Sequence, residues 1–224
     1  MSPYKIKIEK GSLKFFLFFK LIIASYSLTL LLSYSLTFLR SHTMKLKFNS
    51  PVVLGFSLIC VVVFVLDKLM AGQLMPYFTL GYVDFSRPMS ILTLFTHVLG
   101  HASLEHLIGN LTFVLLVGPI VEEKYGDMRT LFMMLVTAFA TGLLNILFFK
   151  SGLLGASGIV FMFILLVSFT NSKSGEIPIT FILIAILFIG KEIIQSLAND
   201  QISQFAHIIG GLCGSVFGFI NRPR

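Results

Sequence analysis

The chain has 224 residues, of which 56% are hydrophobic and only 12% charged, with a formal net charge of +7. A soluble domain of this length carries about twice that charged fraction, and its surface has nowhere to put so much apolar material, so the composition argues against a water-soluble globule. Nucleic acid is not an expected partner, because the basic residues sit at the ends of apolar runs, where a membrane protein needs them.

Crossing a hydrocarbon core takes about 20 apolar residues, or fewer when neighbours shield the segment. Such runs fall at roughly 15–39, 51–67, 104–121, 130–149, 156–171, 177–196 and 203–221. They are continuously apolar rather than alternating, so each is expected as a helix and not as a barrel strand. The first run fits badly. If it spans, Lys5, Lys7, Lys10 and Lys14 lie outside, against the positive-inside rule. Met44 opens a short basic stretch before the next run. Residues 1–43 are therefore an N-terminal extension with three open readings: upstream translation before a natural start at Met44, an extra helix, or a cleaved signal. No A-x-A-like cleavage site is evident for the last.

Residues 44–224 form the expected domain, with six spans and both termini on the cytoplasmic side. Lys45, Lys47, Lys124, Arg129, Lys173, Arg222 and Arg224 then fall inside, against Lys68, Arg87, Lys150 and Lys191 outside. The connection at 68–103 is too long for a turn and has no span-length run, so part of it is expected in the outer interface. Glu122 and Glu123 are expected in the turn after the 104–121 run. Cys60 and Cys213 both lie in apolar runs and read as packing residues.

Polar groups inside membrane helices are costly and mark sites. His106 and Asn110 share one helix face, one turn apart. Ser157 opens the fifth of the seven apolar runs within Gly155-Ala156-Ser157-Gly158, and His207 lies near the start of the last. All enter from the expected outer face at similar depth, so they can converge. Gly210, Gly214 and Gly218 repeat every fourth residue, which makes a flat stripe for close helix approach. A serine needs a base within reach to become a nucleophile, and His207 is the candidate base. Asn110 and His106 can supply hydrogen-bond donors to the developing oxyanion. No aspartate lies inside a span to orient His207, which implies a dyad.

The bland readings are specific too. A lone membrane serine usually bonds its own helix backbone, and a glycine repeat usually serves packing alone. His101 and His106, five apart, would be turned about 140° from each other on one helix, which disfavours a shared metal. Glu105 reads as a solvated interfacial group. The Gly-x-Ser-Gly stretch is not the soluble hydrolase elbow, since Ile159 stands where that motif has glycine.

Three motifs in order, His101-x4-His106-x3-Asn110, Gly155-Ala156-Ser157-Gly158 and Ala206-His207-x2-Gly210-x3-Gly214, resemble those of the rhomboid intramembrane proteases. Glu122-x3-Gly126 is similar to the pattern that follows the family's second helix. The resemblance covers roughly residues 45–221 and implies an all-α membrane protein, a six-transmembrane-helix bundle. It implies Ser157 as nucleophile, His207 as base, and His106 and Asn110 as oxyanion donors. His101, Gly155, Gly158, Gly210 and Gly214 would support the site, and Phe161 would pack on the catalytic histidine. The implied reaction is cleavage of single-pass transmembrane proteins in the bilayer, without metal or organic cofactor, with residues 196–203 capping the site. Short loops and the lack of added domains suggest a prokaryotic plasma membrane. Two departures stand out. The chain has no tryptophan, and Leu92-Thr93 occupy the place of a Trp-Arg pair common in the family's first loop. Met162 stands where a small residue is common, which would tighten helix packing or the substrate pocket. The competing functions are a non-catalytic rhomboid-like protein that binds membrane clients, and a small transporter using the polar groups as a path. The second would need polar groups in both halves of the membrane.

Overall fold

A computed structural model describes residues 48–81, 88–149, 152–170, 176–196 and 201–221, with Thr29 and Ser33 besides. The chain divides into two units, residues 1–47 and 48–224. The expectations for residues 1–43 lie outside the described residues, those two positions aside, as do Lys150, Lys173, Arg222, Arg224 and most of the expected cap.

Seven helices follow in order among the described residues: α1 (Pro51–Leu69), α2 (Pro88–Thr96), α3 (Leu104–Tyr125), α4 (Asp127–Phe148), α5 (Ser157–Val167), α6 (Ile179–Ser196) and α7 (Gln201–Ile220). Of these, α1, α3 and α4 have the length and apolarity to cross a membrane, while α5, α6 and α7 carry shorter apolar stretches. Large side chains such as Leu58, Leu116, Phe132 and Leu187 stand exposed on α1, α3, α4 and α6. In water such faces would drive association; against lipid tails they are the ordinary surface.

Lipid is as apolar as leucine, so these helices are held by close packing and internal hydrogen bonds rather than by escape from water. The core centres on α5, whose Ile159, Met162, Phe163 and Leu166 are buried among Val53, Val114, Val121, Met133 and Phe217. The packing of α5 on α7 is the most intimate. A Cβ built at Gly210 would strike the Gly158 backbone, one at Gly214 the Met162 backbone, and one at Gly218 the Phe169 ring. The expected glycine stripe therefore faces α5 at Gly210 and Gly214 and the turn after it at Gly218. Met162 belongs to this core, so its size fills the α5 packing and not the polar cleft.

Two boundaries differ from the sequence expectation for a physical reason. Helix α3 continues through Glu122 to Tyr125, and Gly126 (φ 88°) alone joins it to α4. Glu122 is not a turn residue. It is buried, and its two carboxylate oxygens accept the N–H groups of Val52 and Val53, each at 2.9 Å. Those are two of the unpaired amides at the start of α1, where Pro51 has no N–H of its own. Helix α5 is also shorter than the apolar run suggested. Its 11 residues rise only about 16 Å, roughly half of a hydrocarbon core.

The connection from α1 to α3 is ordered by its own polar groups. The buried Asp67 accepts the Met75 N–H at 2.8 Å, which starts the 3₁₀ turn Met75–Phe78. Thr96 donates to the Tyr77 carbonyl at 2.7 Å. Helix α2 leans on α4 through a Phe95–Phe139 stack at 5.6 Å. Leu92 is exposed on α2, while Thr93 is buried and donates to Ser90 O at 2.6 Å.

Candidate active site

Ser157 is the first residue of α5, and the stretch before it is not helical. Non-helical backbone at membrane depth must find partners inside the protein. Here Leu153 and Leu80 exchange both N–H···O bonds at 2.8 Å, and the Gly155 N–H donates to the His97 carbonyl at 2.9 Å. The long first connection thus holds the turn that delivers Ser157.

Gly155 needs to be glycine twice over. Its φ is +116°, a region side chains avoid. A Cβ there would lie 2.6 Å from both Cε1 and Nε2 of His106, and 3.6 Å from Nδ2 of Asn110. The imidazole of His106 therefore rests on the Gly155 backbone, with the Asn110 amide beside it. Ser103 caps α3 by accepting the His106 N–H at 3.1 Å, so the histidine sits in the first turn. Asn110 is buried, and its Nδ2 has no hydrogen-bond partner among the described residues. A buried donor without an acceptor is rare and asks for an explanation.

His207 approaches from α7. Its ring packs on Phe161 with centroids 4.3 Å apart, and Phe161 in turn meets Phe188 of α6 at 4.2 Å. Gly158, next to Ser157, touches Gly210, three residues past His207. Ser157, His207, His106 and Asn110 all line one cleft of about 450 Å³, together with Phe113, Val160, Phe161, Ile164, Glu105 and Lys191. A half-buried serine, a half-buried histidine and two donor-bearing side chains in one cleft suit acyl transfer.

His101 lies before α3 rather than on it, so the 140° helical separation from His106 does not apply. The two rings meet edge to face at 5.1 Å. The Nδ1 of His101 is 3.2 Å from the Leu99 carbonyl, and a carbonyl only accepts, so the proton sits on Nδ1. Burial, with a smaller contribution from His106, pushes His101 down to about 4. It is a neutral packing partner for His106 and does not line the cleft.

Sequence reasoning passed over His97. It is fully buried, its Nδ1 lies 3.1 Å from Thr93 O, its Nε2 lies 3.4 Å from the Thr141 hydroxyl, and its carbonyl holds Gly155. Burial pushes its pKa down to about 4, so it too is neutral near pH 7. Its place four residues before His101 in an otherwise apolar segment was the available signal.

The Rhomboid domain profile matches residues 88–224, more than half of the chain. The chain is 25% identical over 129 residues to the Rhomboid protease GlpG of Haemophilus influenzae, covering 56% of this chain and 67% of that one. It is 23% identical over 174 residues to the Rhomboid protease GlpG of Serratia proteamaculans, covering 76% of this chain and 62% of that one. RHOMBOID-like protein 1 of Arabidopsis thaliana is 28% identical over 154 residues, covering 63% of this chain and 38% of that one. The chain thus spans about two thirds of these bacterial relatives and little more than a third of this plant one.

Proposed function

The chain belongs to the rhomboid family, and from that premise we propose that it is an intramembrane serine endopeptidase that cuts single-pass transmembrane proteins. The observation that carries this reading is the convergence of Ser157, His207, His106 and Asn110, from three helices, on one cleft. In this reading His207 takes the proton of the Ser157 hydroxyl as its Oγ attacks the scissile carbonyl carbon. The negative charge moves to the carbonyl oxygen. Asn110 Nδ2, left without a partner, donates to it, as does an N–H of His106. The backbone N–H of Ser157, at the start of α5, adds a third donor. The tetrahedral intermediate collapses as His207 hands the proton to the leaving amine. Water, activated by the same histidine, then releases the acyl group from Ser157.

The six spans of this proposal are α1, α3, α4, α5, α6 and α7, with α2 and its flanking turns in the outer interface. The cleft opens to the outer side, and both ends of residues 44–224 face the cytoplasm of a prokaryotic cell. Residues 1–43 stand apart as an extension.

The test is cleavage of a fluorescent transmembrane substrate by the reconstituted chain and by Ser157→Ala. Cleavage by the parent and none by the variant is expected. Equal cleavage refutes the nucleophile, and no cleavage by either favours a client-binding protein. A fluorophosphonate should label the parent at Ser157 and leave the variant unlabelled.

A further inference from the structure

The walls of the Ser157 cleft are mostly apolar, but its lining carries one cation and one carboxylate: Lys191 near the end of α6, and Glu105 in the first turn of α3. Both are exposed, and neither has an ion-pair partner among the described residues. They stand on different helices, α6 and α3, and line the same cleft as the candidate nucleophile. The ordinary task of a lysine at the end of an apolar run is to anchor that helix at the membrane surface. Lys191, though exposed, also lines the cleft.

We infer that Lys191 and Glu105 form a two-sign rim that selects the substrate segment, Lys191 favouring an acidic side chain on one side of the scissile bond and Glu105 a basic one on the other. The inference rests on the protease reading above and adds its substrate preference. Any chain that puts a peptide carbonyl at Ser157 must leave the cleft on both sides of the scissile bond. Its flanking residues then run along a lining that carries these two charges, where the apolar walls strengthen the interaction relative to open water. An acidic residue reaching Lys191 meets a cation that has no ion-pair partner among the described residues. The same residue displaced toward Glu105 meets a like charge. The rim therefore sets which way round and in which register the segment lies, while the apolar walls accept its neighbours without reading charge. Because both groups are partly solvated, the preference is modest, about fivefold for a well-placed pair.

The experiment uses the full chain in zwitterionic phosphatidylcholine vesicles and one cleavable transmembrane substrate. Each residue flanking the cut is replaced in turn by Asp, Asn or Lys. The quantity read is the ratio of kcat/KM for Asp over Asn, and for Lys over Asn, at each position. The parent is expected to favour Asp about fivefold at one position or more, with Lys favoured across the cut. The ratio should shrink toward one at about 1 M salt, where screening acts within about 3 Å. Lys191→Gln should abolish the Asp preference, Lys191→Arg retain it, and Lys191→Glu turn it into a Lys preference. Glu105→Gln should abolish only the Lys preference. Charge-blind cleavage by the parent, or an Asp preference that survives in Lys191→Gln, overturns the inference and leaves the protease reading intact. A parent that cleaves no member of the set overturns both.

Discussion

Gly210→Ala tests whether the α5–α7 contact is catalytic geometry or simple packing. The added Cβ would lie 2.8 Å from the Cα and the carbonyl carbon of Gly158, and nearer still to its oxygen. Carbon pairs rest at about 3.5–4.0 Å, so the helices must part by roughly 0.7–1.2 Å. Backbone cannot swing aside as a side-chain tip can. The displacement falls beside Ser157, the neighbour of Gly158, and within one turn of His207. A misplacement of about 1 Å at a reacting pair costs on the order of 100-fold in rate. Overpacking costs about 1–3 kcal/mol of stability, less the roughly 0.5–1 kcal/mol that alanine regains over glycine in a helix.

Gly214→Ala is the matched comparison. Its Cβ meets the Met162 backbone just as closely, with the Cα at 2.9 Å, but one turn farther from His207. Both variants should lose similar stability by detergent unfolding. In kcat on a reconstituted transmembrane substrate, Gly210→Ala should fall about 100-fold and Gly214→Ala about tenfold less steeply. A Gly210→Ala enzyme with parental kcat, or two variants whose activities simply track their stabilities, would refute the reasoning.

Three further outcomes follow from individual contacts. Asn110→Ala removes the unpartnered buried donor beside Gly155 and should lower kcat by about 10²–10³-fold with little change in KM; a loss under tenfold excludes Asn110 as an oxyanion donor. Glu122→Gln replaces one of two acceptor oxygens by an NH₂ that cannot accept from Val52 or Val53, and should cost about 2 kcal/mol in unfolding stability. Below its new melting range its kcat should match the parent, because Glu122 lies at the opposite end of α3 from His106. His97 and His101 lie outside the membrane-spanning helices and are both held at about 4, below the ordinary 6.5. The unfolded chain therefore takes up protons first as pH falls, so stability is full above about 6.5 and declines steadily toward about 4. Unfolding midpoints measured across that window should show the decline, and His97→Asn should flatten it; a pH-independent midpoint would show that neither histidine stays buried and neutral.

The side chains of the site were legible because each is a polar group where lipid tolerates few, and because the periods of four in His106–Asn110 and Gly210–Gly214–Gly218 are helical periods. The backbone that holds them was not. The Leu80–Leu153 bridge and the His97 carbonyl act through main-chain atoms that every residue has, so no residue type announces them. Glu122 looked like a turn residue because a carboxylate after an apolar run usually meets water. Its partners, Val52 and Val53, lie about 70 residues away in sequence, beyond any local pattern. His101 stands outside the helical angle to His106 for a local reason: Ser103 caps the helix two residues after it.

The shortness of α5 connects these hidden contacts to the chemistry. A span-length helix would carry its first residue to the membrane surface, where a serine gains nothing from its surroundings. With 11 residues, α5 falls well short of that length, and its first residue, Ser157, lines the cleft. The main chain just before it is not helical, and each of its polar groups left unpaired in a buried setting costs several kcal/mol. The first connection removes that cost by lending the Leu80 main chain and the His97 carbonyl. The chain lacks tryptophan there, and the connection is held by the hydrogen bonds that Asp67 accepts from Met75, Thr96 donates to Tyr77 and Leu80 exchanges with Leu153, and by the Phe95–Phe139 stack. Loosening it should therefore act on Ser157 without touching any residue of the cleft. Asp67→Ala frees the Met75 amide at the root of the connection, and its effect should appear in kcat before it appears in the unfolding of the α5–α7 core.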